Sequence, residues 1–340
     1  MLRSFPMSLL CLLLGCSSEP REGARETISL EGQALGTTWT VKVHSAEPVD
    51  LEELRHAIVA EIEEVETILS HWRPDAELYQ FNRTLTTEPV AVHPLLHELL
   101  QHARRMNEQS LGAFDPTLAP LINLWGFGPV NQTRAGIPGP EEIKQAQNLV
   151  GMNLLEILPQ CRARKRQAGL QVDLSGSAKG EIIDQVCALL DHWGLDNYLV
   201  EIGGEIRARG KGKAGQGWVV GLEDGSDKTG TKMASVPLRN YAVASSGTYR
   251  LNKTNPDSNK TASHLLDPRT GRPVGHDLVA VNAFAPTARD ADAWATALMI
   301  LGLEEGMNTA GKMDLVARFC VREGNETKIL FSPAYDLIFR

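Results

Sequence analysis

The sequence predicts a single α+β domain in which a central, mostly antiparallel sheet is flanked by helices. Its 340 residues are 42% apolar and 22% charged, as in an ordinary globular protein. Helical and strand periodicities both recur, and glycine-rich segments at 210–217 and 223–231 separate strand patterns in the manner of hairpin loops. The sequence contains neither an internal repeat nor a strong linker. Periodicity alone supports one domain of mixed α and β.

The helices are predicted from apolar stripes and from the residues that open or close them. Asp50 caps a long amphipathic helix that begins at Leu51, and Pro94 opens the next long helix. A tight turn at 173–180 leads into a helix over 181–193, which Gly194 closes. The other helical patterns cover 117–125, 141–150, 289–302 and 304–309.

The strands are predicted from short alternating or apolar runs. They cover 28–30, 37–43, 154–158, 162–166, 170–172, 198–202, 205–209, 218–222, 233–238, 241–244, 278–285, 315–321 and 328–331. The segment 131–140 is rich in Gly, Pro and Thr and is predicted to be an exposed loop.

The first residues have the pattern of an export signal. Arg3 precedes an apolar run over 7–14 that is far too short to span a bilayer, and the run ends in Leu-Gly-Cys16. This ending resembles a bacterial lipoprotein signal: residues 1–15 would be removed, Cys16 lipidated, and 16–27 would form a polar tether to a domain over 28–340. The alternative is a plain secretory signal in which Cys16 is incidental. We expect a lipid-anchored protein of the bacterial cell envelope that faces the periplasm, on either the inner or the outer membrane.

Charge and cysteine content exclude several classes of protein. The net charge of −8 argues against nucleic acid as the main partner. Beyond the signal and Cys16, the cysteines are Cys161, Cys187 and Cys320, with no CxxC spacing. Neither a zinc site nor a disulfide framework is indicated, so we expect three buried thiols with at most one disulfide.

A candidate cation site lies in the segment 289–302, which reads RDADAWATALMILG. Asp292 and Thr296 are four residues apart in a helical pattern and therefore point the same way. Two oxygen-bearing side chains at the start of a helix suit a hard cation such as Mg²⁺. The alternative is that Asp290 or Asp292 is an ordinary N-cap and Thr296 a small packing residue. Asp290, nearer the helix start, is favoured as the cap.

Five short stretches place Gly, Asp, Ser, Thr and His at predicted element junctions: 112–115, 173–180, 203–205, 245–250 and 263–271. In the second of these, a strand pattern runs through Asp-Leu-Ser-Gly-Ser-Ala-Lys-Gly into a helix. The free N–H groups of a helix start suit a phosphate, and Lys179 would add a positive charge. The alternative is a glycine-rich turn with Asp173 as a local cap.

Taken together, these stretches resemble the ApbE family, the FAD:protein FMN transferases. The resemblance is collinear from about Gly36 to Gly302. It includes Gly-Ala-Phe-Asp-Pro at 112–116, the Asp-Leu-Ser-Gly turn at 173–176, Gly-Gly-Glu at 203–205, His-Leu-Leu-Asp-Pro at 264–268 and Ala-Asp-x-x-x-Thr at 291–296. It implies a T-fold-like domain with a FAD cleft between its helical and sheet portions.

The resemblance also implies roles for individual residues. Mg²⁺ would be held by Asp292, Thr296 and the backbone carbonyl of Gly176, and His264 would be the catalytically important histidine. FAD contacts would fall on Leu35, Trp72, Ala113, Phe114, Asp115, Asp173, Lys179 and Leu265. The implied reaction moves the FMN part of FAD to a Thr or Ser hydroxyl of exported or membrane redox proteins and releases AMP. That reaction requires positioning and charge stabilisation rather than an enzyme nucleophile.

Two other functions remain open at this point. A Mg²⁺-dependent FAD pyrophosphatase would use the same site with water in place of the acceptor. A non-catalytic flavin-binding lipoprotein is the other alternative; Asp292, Thr296 and His264 argue against it, because a protein that only binds flavin would not need metal-assisted cleavage. His264 could instead only hydrogen-bond the turn at Asp267, and Trp72 could be packing rather than a partner of the isoalloxazine.

Three positions depart from the family pattern. Leu35 stands where methionine is usual, a conservative apolar change. Ser177 and Glu181 replace an aliphatic and commonly an aromatic residue, and Glu181 would place a carboxylate near the phosphate site. The other histidines are interpreted as surface or turn residues: His44, His56, His71, His93, His97, His102, His192 and His276.

Overall fold

A computed structural model describes residues 26–130, 136–225, 234–248, 252–254, 261–324 and 326–339. The strands are β1 (Glu26–Ala34), β2 (Thr37–Ser45), β3 (Val90–Ala91), β4 (Leu155–Leu158), β5 (Arg162–Lys165), β6 (Tyr198–Ile202), β7 (Glu205–Arg209), β8 (Trp218–Leu222), β9 (Ala234–Leu238), β10 (Tyr241–Gly247), β11 (Asn252–Thr254), β12 (Thr261–Ser263), β13 (Leu266–Asp267), β14 (Arg272–Pro273), β15 (Leu278–Ala285), β16 (Val316–Glu323) and β17 (Glu326–Phe331). The helices are α1 (Leu51–Leu69), α2 (Glu77–Arg83), α3 (Pro94–Gln109), α4 (Ala119–Leu124), α5 (Pro140–Gln147), α6 (Ala178–His192), α7 (Ala288–Lys312) and α8 (Tyr335–Phe339).

The centre of the fold is an eight-stranded sheet in the order β1-β2-β6-β7-β10-β15-β16-β17. Its neighbouring strands pair antiparallel throughout. Small two- and three-stranded sheets, such as β3-β5-β4 and the hairpin β8-β9, lie beside it. The predicted α+β class with a mostly antiparallel sheet and flanking helices is confirmed.

The two faces of the sheet bury different cores. Ala242 and Ala244 of β10 belong to the main core, together with apolar residues of α1, α6 and α7. Val243, between them in sequence, belongs to a second core with β8, β9 and α8. Because side chains alternate along a strand, helices cover one face and a hairpin with a short helix covers the other.

The long helices begin where the sequence predicts. Asp50 caps α1 by accepting the N–H groups of Glu52 and Glu53, and Pro94 occupies the first turn of α3. The two helices predicted over 289–302 and 304–309 are confirmed as two helical segments of α7, since Gly302 between them has a non-helical backbone conformation; the second segment extends to Lys312. Gly302 takes φ 77°, a conformation that glycine adopts without a Cβ penalty.

Two further predictions need correction. The segment 170–172 is not a strand: the N–H and C=O of Val172 bond the side chain of Asn82 at 2.7 Å each instead of a neighbouring strand. Helix α6 begins at Ala178, three residues earlier than predicted, so Lys179 and Gly180 lie in its first turn.

The cysteines and several histidines also differ from expectation. Cys187 and Cys320 are buried, but Cys161 is partly exposed, and all three are free thiols. Among the histidines interpreted as surface or turn residues, three are buried: His44, His71 and His102. Each has one polar side-chain contact, with Thr27 for His44, Asp173 for His71 and Asp290 for His102.

Some predictions fall outside the described residues. These are the signal over 1–15, lipidated Cys16 and the tether as far as residue 25, and parts of the loops at 131–140, 223–231 and 245–250. Strand β1 already begins at Glu26. Over the ranges that are described, no helix is long and apolar enough to cross a membrane.

Candidate active site

A cleft lies between the sheet and the helical layer, and it consists of two adjoining cavities of about 170 and 360 Å³. The smaller cavity is bounded by the ends of β10 and α7, and the larger one opens beside Trp72. The two share five wall residues, namely Ile122, Asp173, Ser175, Lys179 and His264. The two cavities therefore adjoin and form one cleft.

The cleft brings the predicted site residues together from distant parts of the chain. The smaller cavity is lined by Ala113, Phe114, Asp115, Asp173, Gly176, Lys179, His264, Leu265, Asp292 and Thr296. Leu35 and Trp72 line the larger cavity. Each of the five stretches that the sequence singles out contributes to the smaller cavity.

The turn before α6 is held rigidly at the floor of the cleft. The N–H of Asp173 donates to the carbonyl of Pro116 at 2.7 Å, and Oδ1 of Asp173 accepts the N–H of Ser175 at 2.8 Å. Asp173 thus caps its own turn and also lines the cleft, so both interpretations of this residue hold. Helix α6 begins directly after this turn, with Lys179 in its first turn and in the wall of the cleft, and the positive end of a helix dipole suits an anion.

Oxygen donors for a cation meet beside Thr296. Asp292 and Thr296 both line the smaller cavity, and Oδ2 of buried Asp292 accepts the N–H of Gly180 at 3.2 Å. A Cβ at Gly176 would lie 3.3 Å from Oγ1 of Thr296 and 3.0 Å from the Phe114 ring, so glycine keeps this space open. A carboxylate, a hydroxyl and a nearby carbonyl are the hard oxygen donors that Mg²⁺ prefers. The described residues contain no group of three His, Cys, Asp or Glu side chains that could hold a metal.

The cap of α7 is Thr287, so the prediction of Asp290 is wrong. Oγ1 of Thr287 accepts the N–H of Asp290 and donates to Oδ2 of Asp290 at 2.7 Å. His102 contacts Oδ1 of Asp290 at 2.8 Å, and hydrogen bonds from His102 and Thr287 keep the pKa of Asp290 low despite its burial. Asp290 therefore fixes the helix start, while Asp292 is left to face the cleft.

Two further acidic groups determine the charge of the cleft. Lys179 Nζ lies 2.7 Å from Oε2 of Glu205, a carboxylate that is almost fully buried in the wall of the smaller cavity. Asp115 is partly buried, and desolvation raises its pKa although Thr117 donates two hydrogen bonds to Oδ1. Lys179 thus compensates one carboxylate at the point where a phosphate is expected.

His264 stands at the junction of the two cavities. It lines both of them, and its ring meets the edge of Phe127 at a centroid distance of 6.4 Å. Buried His71 lies below the exposed ring of Trp72, with Nε2 3.6 Å from Oδ2 of Asp173. His264 and Trp72 therefore line the same cavity.

Glu181 does not enter the cleft, contrary to the sequence-based expectation. It is buried against Arg289, whose Nη1 lies 3.0 Å from Oε2, and it accepts a hydrogen bond from Gln185. Burial raises its pKa, and Arg289 opposes that rise. Ser177 is likewise buried, at the start of α6.

The comparisons with known proteins agree with this geometry. The family model for the ApbE family matches residues 35–319. The chain belongs to the ApbE family. The predicted family and the prediction of an enzyme are confirmed.

Relatives match over nearly the whole length. The FAD:protein FMN transferase of Escherichia coli (strain K12) is 33% identical over 95% of this chain and 93% of its own length. That of Vibrio cholerae serotype O1 is 36% identical over 89% of each protein. The solved flavin transferase ApbE from Vibrio cholerae superposes with a TM-score of 0.84 at 33% identity, covering 92% of this chain and 99% of that one. The apo flavinyl transferase ApbE of Pseudomonas stutzeri gives the same TM-score over 93% and 97%.

Some residues of this ApbE-family cleft were missed by sequence reasoning. Glu205 stood in the Gly-Gly-Glu stretch that was singled out, but its own role was not predicted. Ser246 lay in another such stretch, and its Oγ is 3.3 Å from Oγ1 of Thr296. His71 and Asn82 act through contacts with residues about 90 to 100 positions away in sequence, for which a local pattern gives no signal.

Proposed function

We propose that this ApbE-family protein transfers the FMN part of FAD to a threonine or serine hydroxyl of an acceptor protein, with Mg²⁺ as cofactor and AMP as the product released. The observation that carries the proposal is the convergence of oxygen donors, a lysine and a histidine on one two-part cleft. FAD has the matching form, with two different halves joined by a pyrophosphate.

The residues divide the work along the cleft. Mg²⁺ held by Asp292, Thr296 and the carbonyl of Gly176 would neutralise charge on the pyrophosphate. Lys179 and the first turn of α6 offer positive charge to the same phosphates. Trp72 and Leu35, which line the larger cavity, provide apolar surface for the isoalloxazine.

The transfer itself is a displacement at the FMN-side phosphorus. The acceptor hydroxyl oxygen forms a bond to that phosphorus while the bond to the bridging oxygen breaks, and AMP leaves with the bridging oxygen. His264, between the cavities, orients the hydroxyl and takes its proton. No nucleophile of the enzyme is needed, because phosphoryl transfer depends mainly on positioning and charge stabilisation.

Two alternatives use the same cleft. Water in place of the hydroxyl gives a FAD pyrophosphatase that releases FMN and AMP. A flavin-binding protein without turnover would leave FAD intact, but it would have no use for His264 beside the metal donors.

One experiment separates the three functions. The domain is incubated with FAD and Mg²⁺, with and without an acceptor protein that carries a threonine flavinylation site, and AMP, FMN and acceptor mass are followed. AMP formed in step with an FMN adduct supports transfer. AMP with free FMN in both samples supports hydrolysis, and unchanged FAD leaves only binding.

We also propose that the protein acts in the cell envelope, anchored through lipid on Cys16, and that its acceptors are exported or membrane redox proteins. Leu-Gly-Cys16 at the end of the short apolar run supports this. The test is membrane fractionation of the full chain and of Cys16→Ser. Loss of the variant, but not of the wild type, from the membrane fraction is expected; equal membrane association would contradict the anchor.

A further inference from the structure

Ser246 is a hydroxyl at the end of a row of small residues on the helix-facing side of β10. Ala242 and Ala244 belong to the core that includes α7, and strand alternation places Ser246 on the same face. Its neighbour Ser245 differs, since its Oγ accepts a hydrogen bond from Asn282 at 2.8 Å. Asn282 lies on the same face of β15 as Phe284, two residues further on, and Phe284 belongs to the core on the other side of the sheet. The two serines therefore have separate partners.

The partner of Ser246 is Thr296. Their hydroxyl oxygens are 3.3 Å apart, and both residues line the smaller cavity beside Asp292 and Gly176. Ser246 is only partly buried, so its side chain reaches the cleft itself. Either oxygen could donate in this contact, and the chemistry of the site decides which one does.

A cation on Thr296 fixes the direction of this hydrogen bond. A neutral hydroxyl that binds a metal uses an oxygen lone pair and must point its hydrogen elsewhere. Oγ of Ser246 is an acceptor close enough to receive it. The positive charge of the metal also strengthens the O–H as a donor. The contact is then a hydrogen bond from Thr296 to Ser246.

We propose that Ser246 is a positioning residue of the Mg²⁺ site, which accepts the Thr296 hydrogen and so turns the Thr296 oxygen toward the metal. The inference rests on the proposed function, because it assumes that Thr296 binds Mg²⁺. Groups that orient a metal ligand in this way affect metal affinity by about 10- to 100-fold when they are removed. Ser246 is thus expected to act on Mg²⁺ affinity and not on the flavin pocket.

The test measures the Mg²⁺ concentration that gives half of the Mg²⁺-dependent gain in FAD binding, followed by flavin fluorescence without acceptor. For Ser246→Ala we expect this concentration to rise by about 10-fold or more, and for Ser246→Thr, which keeps a hydroxyl, to stay near the wild-type value. FAD affinity without Mg²⁺ should be the same in all three. If Ser246→Ala unfolds, Ser246→Cys keeps the size with a weak acceptor and should show the same rise.

The matched control is Ser332→Ala. Oγ of Ser332 is a buried hydroxyl that accepts the N–H of Ala317 and donates to the carbonyl of Leu315, outside both cavities. The Ser332→Ala variant should have a lower melting temperature and an unchanged Mg²⁺ requirement. A wild-type Mg²⁺ requirement in Ser246→Ala or Ser246→Cys would overturn the positioning role alone. A wild type whose FAD binding ignores Mg²⁺ would instead contradict the proposed metal site, and the positioning role with it.

Discussion

Nζ of Lys179 lies 2.7 Å from Oε2 of Glu205 in the wall of the smaller cavity. The Glu205 side chain is 2% exposed and that of Lys179 is 29% exposed. An unpaired carboxylate at this place would repel the phosphates of FAD. The pair therefore allows a buried acid and an anionic substrate to share one cleft.

Removing Lys179 from its pair with Glu205 should affect both protein stability and FAD binding, and the two effects can be measured separately. Lys179→Met removes the positive charge beside buried Glu205, and we expect a loss of at most about 3 kcal/mol of unfolding free energy, since Lys179 is partly solvated. FAD should bind about 10- to 100-fold more weakly, as for loss of a hydrogen bond to a charged group. Denaturant unfolding and fluorescence titration measure the two effects.

The double variant Lys179→Met with Glu205→Gln is the control for that prediction. It removes both charges and should recover most of the stability without recovering FAD affinity. Full recovery of FAD affinity would show that Lys179 serves only to compensate Glu205.

The metal assignment predicts a specific defect for Asp292→Asn. The amide keeps an oxygen for the N–H of Gly180 but loses the negative charge that a cation requires. Mg²⁺-dependent turnover should fall by about 100-fold or more, with a near-normal melting temperature. Asp196→Asn, at an exposed carboxylate outside both cavities, should behave as wild type. Full activity in Asp292→Asn would rule out Asp292 as a ligand.

The pKa of Asp115 predicts how stability changes with pH. Burial raises the pKa of Asp115 in the folded state above its ordinary value near 3.8, which applies to the unfolded state. Between these two pKa values, the folded state therefore holds more protons than the unfolded state. Unfolding free energy should then fall as pH rises through that interval. Asp115→Asn cannot titrate, and its amide oxygen can still accept from Thr117.

Denaturant unfolding of both proteins from about pH 4 to about pH 7 tests this sign. The stability of the wild type relative to Asp115→Asn should decrease as pH rises and then level off. A wild type that gains stability over the variant across the same range would mean that the folded state lowers the pKa of Asp115.

The crossing of α6 and α7 depends on Gly180. A Cβ at this position would lie 2.3 Å from the carbonyl oxygen of Ala288, against backbone that cannot move aside. Gly180→Ala should therefore cost about 1–3 kcal/mol or more of unfolding free energy and raise the Mg²⁺ concentration that the enzyme requires, because the Gly180 N–H bonds Asp292. Gly311→Ala in α7 has open space around its Cβ and should be neutral or slightly stabilising. Equal stability of the two variants would contradict the proposed crossing.

Sequence patterns predicted the elements of this fold better than its contacts. The Asp50 cap, the Pro94 helix start and strand β15 lie where local sequence signals place them. The segment at 170–172 was misjudged because its backbone partner is the side chain of Asn82, far away in sequence. The helix break expected near Gly302 is present, since this glycine takes a non-helical conformation that divides α7 into two segments.

At the candidate site too, the sequence predicted which residues take part but not which of them contact one another. Motif order placed Asp173, Lys179, His264, Asp292 and Thr296 in one cleft, where the structure has them. The sequence could not tell that Glu181 pairs with Arg289, because both were known only as charges on different helices. Nor could it place Glu205 against Lys179, since that contact depends on how β7 meets α6.

The most direct test of the proposed transferase activity is the mass of an acceptor protein after incubation with this enzyme, FAD and Mg²⁺. We expect the acceptor to gain the mass of FMN less one water, with fragmentation placing the flavin on one threonine or serine. An acceptor with that residue replaced by alanine should gain nothing. Consumption of FAD with an unmodified acceptor would contradict transfer and favour hydrolysis.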